Sequence, residues 1–324
     1  MGAAHSGGHE RSLSPDARGS RQPQHANNVD EMTLVELITA QSARLKQAGV
    51  SFGHGTTNAF DEAAWLVLWA LDISFDEFEA KTQRPASDDD AKKAEAIVSK
   101  RIETRQPAAY LTHEAWLQNV AFYVDERVIV PRSFIAELLV DGEGAGILDA
   151  WLSDQTHKVL DLCTGNGSLA VIAALAYPEV TVDAADISDD ALAVAQINVD
   201  KHKLGKRVAV LKSDLLASVR GPYDLIVCNP PYVNSDSMKA LPPEYRAEPA
   251  LALDGGSDGM DLVRTILRDA PAKMTPHAVL VLEIGNERRH FEHAFPRLEA
   301  AWLETSAGHD QVLVVTREAL SRLK

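Results

Sequence analysis

Tyr223-Asp-Leu-Ile-Val-Cys-Asn-Pro-Pro-Tyr232 is the stretch on which the reading of this chain turns. Residues 223–228 are mostly apolar and β-favouring, the composition of a central strand covered on both faces of a sheet. Pro230 and Pro231 each fix φ near about −65° and remove an N–H, so ladder pairing stops and the chain must turn. What is left at the strand's C-terminal end is a rigid set of acceptors, the Asn229 amide and the neighbouring carbonyls, which suits a guest bearing an NH2 group. Taken alone, Asn-Pro-Pro is equally compatible with a plain strand stop. The flanking stretches decide between the two.

Upstream, Lys158-Val-Leu-Asp-Leu-Cys-Thr-Gly-Asn-Gly167 is another apolar strand, followed by a glycine-bearing turn and a helical pattern over 168–177. A strand over 180–185 ends in Asp186, nineteen residues after Gly167. A carboxylate about 20 residues beyond such a turn accepts from ribose hydroxyls. A strand over 207–212 ends at Ser213-Asp214, and Asp189 is placed to cap a helix running to His202. Downstream, residues 233–258 show no convincing period, and a loop of that length inside a compact domain is usually functional. Because it leaves directly from Tyr232, substrate recognition is its expected role. A helix over 258–269, a strand over 277–284, a helix over 287–295 and strands over 302–305 and 311–316 follow. This β/α alternation predicts an α/β domain with a mostly parallel, doubly wound sheet.

The N-terminal part is different in kind. Thr33-Leu-Val-Glu36 reads as a capping box, with Leu34, Leu37, Ile38 and Leu45 on one face of a first helix. Asn58 can cap a second helix over 59–71 that is apolar almost all round and so should be buried. Ser87-Asp-Asp-Asp90 supplies a cap and negative charge to a third, whose stripe is Ala94, Ile97, Val98 and Ile102. Segments 110–112, 115–117 and 120–124 look like short strands of a linking hairpin. The expected organisation is a disordered tail over 1–28, a helical domain over 29–106, a β-hairpin linker over 107–132 and a catalytic domain over 133–324. His54, in Phe52-Gly-His-Gly-Thr56, reads as a loop or capping residue, since no partner carboxylate is readable near it.

A net charge of −15 argues against a general nucleic-acid binder and fits a basic protein partner, though solubility alone also accounts for it. The two cysteines, Cys163 and Cys228, fall at the expected core strands and read as reduced, buried thiols of a cytoplasmic protein, with neither disulfide nor metal. His5, His9 and His25 fit no ligand spacing. The longest apolar runs, such as 63–71, fall short of the about 20 residues that span a bilayer. The first 28 residues lack the apolar core of a secretory signal.

Over residues 107–316, the order of these motifs resembles the class I S-adenosylmethionine-dependent methyltransferases, with a Rossmann-like, mostly parallel seven-stranded sheet. Asn-Pro-Pro-Tyr resembles their amino-methylating branch, and the nearest likeness is to the protein N(5)-glutamine methyltransferases. The resemblance implies S-adenosylmethionine as cofactor, held by Asp161, Cys163, Thr164, Gly165, Gly167, Asp186, Ile187, Asp214, Leu215 and Asn229. It implies Asn229, Pro230 and Tyr232 as catalytic, with Pro231 and Arg132 completing the substrate side. Arg132 belongs to a Pro-Arg pair that matches a family signature; it is expected either to orient a loop or carboxylate or to be a plain surface arginine. The family's loop usually carries a further glycine where this chain has Cys163, which is read here as needing only ordinary φ/ψ.

The helical domain is expected to help recognise the protein substrate. Two branches of the family compete, one modifying peptide-chain release factors and the other the large-subunit ribosomal protein L-three. Phe52-Gly-His-Gly-Thr-Thr-Asn58, Ala109-Tyr-Leu-Thr112 with Ala115-Trp116, and Asp161-Leu-Cys-Thr-Gly165 look like the ribosomal branch. Ala247 departs from it, standing where a His is expected. Two readings of another class remain: amino-group methylation of nucleic acid, disfavoured by the acidic balance, and a non-catalytic ribosome assembly factor. Neither membrane binding nor direct sequence-specific nucleic-acid binding is expected.

Overall fold

The computed structural model describes residues 32–140 and 147–323. The expected tail over 1–28, with His5, His9 and His25, lies outside them.

The chain begins with a helical unit whose ends are set by the residues the sequence marks. α1 (Leu34–Gln47) starts at Thr33 with both halves of the capping box in place. α2 (Ala59–Ala70) starts at Asn58, whose side chain accepts from the N–H groups of Phe60 and Asp61. A short turn leads through α3 (Phe78–Lys81) to α4 (Asp88–Thr104), capped by Ser87 and Asp90. In α2, Ala63 to Leu68 are all buried against α1 and α4. Each large apolar side chain so buried contributes about 1.5–3 kcal/mol. The core of this unit continues through Val124, Val128 and Val130 to Ala191 and Val194, so the helical unit is seated on the sheet domain.

The connection differs from the expected three-strand pattern. β1 (Ala115–Leu117) and β2 (Val120–Phe122) pair as an antiparallel hairpin, but Ala108–Thr112 is a helical turn, α5. All five of its residues are buried and Pro107 stands at its N-terminus. A burst this short carries no period long enough to separate helix from strand. A further turn, α6 (Ile135–Leu139), too short to show a helical period in the sequence, precedes the sheet.

The sheet has seven strands: β3 (Lys158–Leu162), β4 (Thr181–Asp186), β5 (Val208–Lys212), β6 (Tyr223–Cys228), β7 (Met274–Glu283), β8 (Ala301–Thr305) and β9 (Gly308–Thr316). Their spatial order is β5-β4-β3-β6-β7-β9-β8, and within the sheet β9 alone runs against the others. α7 (Ser168–Ala176) and α8 (Asp189–Lys201) cross over between the first strands. The cap of α8 is Ser188, whose hydroxyl accepts from Ala191, rather than Asp189, which pairs with Lys212 at the surface.

The stretch over 233–258 is not irregular throughout. It contains α9 (Ser235–Ala240), α10 (Pro243–Arg246) and a 3-10 turn at Ala250–Ala252. These are too short to impose a readable period. α11 (Asp261–Asp269), α12 (Arg288–Ala294) and α13 (Arg317–Ser321) cover the remaining sheet. Among the described residues, no helix is long and apolar enough to cross a membrane.

Candidate active site

In open parallel sheets the crevice lies beyond the carboxyl ends of the strands, where the strand order reverses. Here that point is between β3 and β6. A cavity opens there, lined by Cys163 and Gly165 after β3, Asp186 and Ile187 at the end of β4, Asp214 and Leu215 after β5, and Asn229 and Pro231 after β6. Eight of the residues singled out from the sequence therefore meet in one place. Arg127, Val128 and Ile129 close one side, and Pro249, Leu251 and Ala252 another. No spacing singles these out one by one, although Pro249, Leu251 and Ala252 fall in the stretch over 233–258 expected to serve recognition and Val128 and Ile129 just precede the Pro-Arg pair.

The turn after β3 is held by its acids. Gly165 donates its N–H to Asp186 Oδ2 (2.9 Å), while Ser188 donates to Asp186 Oδ1 (2.9 Å), so this carboxylate is fixed before any ligand arrives. A Cβ built on Gly165 would meet nothing within 4 Å, and its φ of +55° is left-handed. Both features leave space for close approach by a ligand. Gly167 is different: its missing Cβ would meet Ala195 at 3.2 Å, so this glycine lets α7 and α8 approach. Cys163 corrects the sequence reading, since it takes φ +61° and lies past the strand, half-buried at the cavity wall.

Asp161, Thr164, Pro230 and Tyr232 adjoin these residues in sequence but are not themselves among the cavity's lining. Asp161 is fully buried, and one carboxylate oxygen accepts from Thr164 Oγ1 (2.5 Å) and Ala170 N (2.9 Å). The other has no hydrogen-bond partner among the described residues. Burial raises its pKa to about 7 against the lowering effect of those hydrogen bonds. Tyr232 is held by close backbone approach: a Cβ on Gly285 would lie 2.4 Å from its Cε2, and one on Gly259 2.2 Å from its carbonyl oxygen. Its hydroxyl reaches Glu283 at 3.5 Å, and Glu283 also accepts from Ser133 Oγ (2.6 Å) and Phe134 N (2.9 Å). Burial raises Glu283 to about 7 and pushes the Tyr232 phenol above its ordinary value, so the phenol stays protonated.

The segment leaving Tyr232 is gripped by buried charges. Arg132 donates to both oxygens of Glu248 (2.6 and 2.8 Å), which also accepts from Val130 N (2.9 Å). Arg132 is therefore a carboxylate-orienting residue rather than a surface arginine. His54, 1% exposed, places Nε2 3.5 Å from a Glu248 carboxylate oxygen, and its ring lies 4.2 Å from that of Tyr245. The carboxylate partner that was unreadable for His54 is thus Glu248. Burial raises the Glu248 carboxyl, but Arg132 and His54 outweigh it and bring its pKa down to about 2. One turn earlier, Glu244 accepts from Ser51 N (3.1 Å) and from Arg105 (3.0 Å) and Arg101 (3.4 Å), while Arg101 also binds Glu62 (2.9 Å). The helical unit and the loop beyond the Asn-Pro-Pro-Tyr turn are fastened together by these contacts.

A family profile for the methyltransferase small domain matches residues 139–241. The chain is 49% identical over 301 residues to the ribosomal protein uL3 glutamine methyltransferase of Bordetella pertussis, spanning 92% of this chain and 99% of that protein. It is 48% identical to the protein of the same description from Burkholderia pseudomallei (87% and 94% of the two chains). With the one from Bradyrhizobium diazoefficiens it shares 44% identity (93% and 97%). Near-complete coverage in both directions at this identity extends to the helical unit as well as the sheet domain, and the chain belongs to the ribosomal protein uL3 glutamine methyltransferase family.

Proposed function

We propose that this protein transfers a methyl group from S-adenosylmethionine to the side-chain amide nitrogen, N5, of a glutamine in ribosomal protein uL3. The observation that carries the reading is the meeting of Asn229 and Pro231 with Gly165, Asp186 and Asp214 around one cavity. The residues fit the cofactor: open space at Gly165 admits a ligand to the backbone, and two carboxylates face the cavity as acceptors. When bound, S-adenosylmethionine supplies an electrophilic methyl on a sulfonium.

Asp186 keeps lone pairs free for ribose hydroxyls after accepting from Gly165 and Ser188. Asp214 and Leu215 serve the adenine end, with Ile187 beside them. Asp161 acts from behind through Thr164, fixing the turn that Gly165 occupies. At the acceptor side the problem is that an amide nitrogen has its lone pair in conjugation. Asn229 Oδ1 and the Pro230 carbonyl accept its two N–H bonds, holding the nitrogen toward the methyl and favouring the positive charge that develops on it. Positioning of this kind is worth about 7–11 kcal/mol in favourable cases. Methyl transfer to the nitrogen so held would leave the neutral thioether as the other product. The nitrogen's proton becomes acidic only then and leaves to solvent, so no base is needed beforehand. Tyr232, fixed by Glu283 and Gly285, packs its ring on the planar amide.

In this reading the reaction takes place in the cytoplasm, on a protein rather than a nucleic acid, as the net charge of −15 favours. Release factors are the competing substrate. The test incubates the enzyme and labelled S-adenosylmethionine with unmodified uL3 and release factor in parallel, followed by peptide mass spectrometry. One added methyl on a uL3 glutamine is expected. Asn229→Ala should lower turnover by about 10²–10³ while cofactor still binds. Methylation of the release factor alone, or an Asn229→Ala enzyme with full turnover, overturns the reading.

A further inference from the structure

Away from the cavity, the end of α2, the turn after it and the hairpin border a groove of about 630 Å3. Trp69, Phe75 and Trp116 line it and are 47%, 50% and 50% exposed. Trp65 also lines it, is 6% exposed, and its indole N–H has no hydrogen-bond partner among the described residues. The charged residues around it are Asp72, Asp76, Glu77 and Glu114, and no Lys, Arg or His stands among the lining residues. Glu77 is occupied by Lys81 (2.7 Å), and Glu114 accepts from the Trp116 indole (2.8 Å), fixing that ring. Asp72 and Asp76 have no ion-pair partner among the described residues.

Half-exposed aromatic rings gathered in one groove are the composition of an interface centre, where Trp, Tyr and Phe carry most of the binding energy. Ring faces beside unpaired carboxylates select one kind of guest, because both attract cations. We propose that this groove docks a Lys/Arg-bearing segment of the protein substrate, remote from the glutamine that is modified. The proposal rests on uL3 as the substrate: a protein built into ribosomal RNA carries Lys and Arg to neutralise phosphates. A second copy of this chain, with its net charge of −15, is a poor occupant, and a polyanion is repelled. The groove joins the helical unit to the hairpin that leads into the sheet domain, so a segment bound there lies on the route between the two.

The test compares intact uL3 with a short peptide containing its modified glutamine, using Asp72→Asn/Asp76→Asn and Trp69→Ala/Trp116→Ala enzymes. For intact uL3 each double variant should raise KM roughly 3–10-fold, as loss of two or so exposed cation contacts implies, with kcat unchanged. Binding of uL3 measured by fluorescence anisotropy should weaken by the same factor, and less steeply with salt for the Asp variant. S-adenosylmethionine affinity, melting temperature and KM for the peptide should stay as in the parent. Unchanged KM and affinity for intact uL3 in both variants overturn the proposal while leaving the methyltransferase reading intact. An equal rise in KM for the peptide, or a change in oligomeric state in place of the KM effect, also overturns it. If the parent enzyme methylates no uL3, the functional reading fails first and the docking proposal with it.

Discussion

Replacing Arg132 with methionine should unseat the segment that follows the Asn-Pro-Pro-Tyr turn. The guanidinium donates two hydrogen bonds to Glu248, whose side chain is completely shielded, and lies 5.5 Å from the Tyr245 ring centre. With Arg132 gone, Glu248 keeps Val130 N–H and the more distant His54. The carboxyl titrates at about 2 rather than 4.5. A tenfold change in equilibrium is about 1.4 kcal/mol, so its surroundings, net of burial, favour the charged form by about 3 kcal/mol. Breaking a buried pair from one side typically costs about 3–5 kcal/mol, in agreement.

At about 1–2 °C per kcal/mol for a chain of this size, the melting temperature should fall by roughly 3–10 °C at pH 7.5. The sign of the pH dependence is fixed as well. In the parent, the folded-state value is depressed, so this stability is present above pH 4.5 and is lost as pH falls toward 2. In the variant the stranded carboxyl prefers to take up a proton, so the deficit should be largest near neutral pH and shrink on acidification. Glu248→Gln in the same chain should restore part of the loss. Turnover should fall too, because Pro249, Leu251 and Ala252 of the same segment line the cavity. Thermal unfolding followed by circular dichroism between pH 5 and 8 decides the matter. A melting temperature within about 2 °C of the parent at pH 7.5, or a deficit that grows on acidification, refutes the argument.

Two other predictions test the backbone of the site. Gly285→Ala places a Cβ 2.4 Å from the Tyr232 ring at φ +53°, so it should cost about 1–3 kcal/mol and displace Tyr232. Turnover, followed beside urea unfolding, should drop, and unchanged turnover would show that the position of Tyr232 does not matter. At Cys163 (φ +61°), glycine relieves about 1–2 kcal/mol of left-handed strain against about 0.5–1 kcal/mol of added chain entropy, giving slight stabilisation. Cys163→Val, β-branched in the same conformation, should destabilise by about 2 kcal/mol, and equal urea midpoints for the Gly and Val variants would remove the strain argument.

Much of the site could be read from the chain alone, because its signals are local. Strand composition, proline stops, and the spacing of Gly165, Gly167 and Asp186 depend on neighbours within a few tens of residues. Thr33, Asn58 and Ser87 mark helix starts because a cap satisfies N–H groups two or three residues away. Where two local choices were nearly equal, the tertiary structure chose. Residues 110–112 became helix under complete burial, and Ser188 took the cap expected of Asp189. At Cys163, the turn demanded a left-handed residue that the side chain disfavours.

What tertiary structure alone decided is the charged grip on the loop. Glu244 meets Arg101 across 143 residues, and Glu248 meets Arg132 across 116. No spacing rule links such partners: other charges stand nearer in the sequence, and only folding brings these together while excluding the water that would otherwise solvate both. The same holds for the aromatic groove, where Trp69 and Trp116 come from different elements and share a wall only once the helical unit is seated on the hairpin. Periodicity and capping are written in neighbours; desolvated charge pairs and shared surfaces exist only between elements already packed.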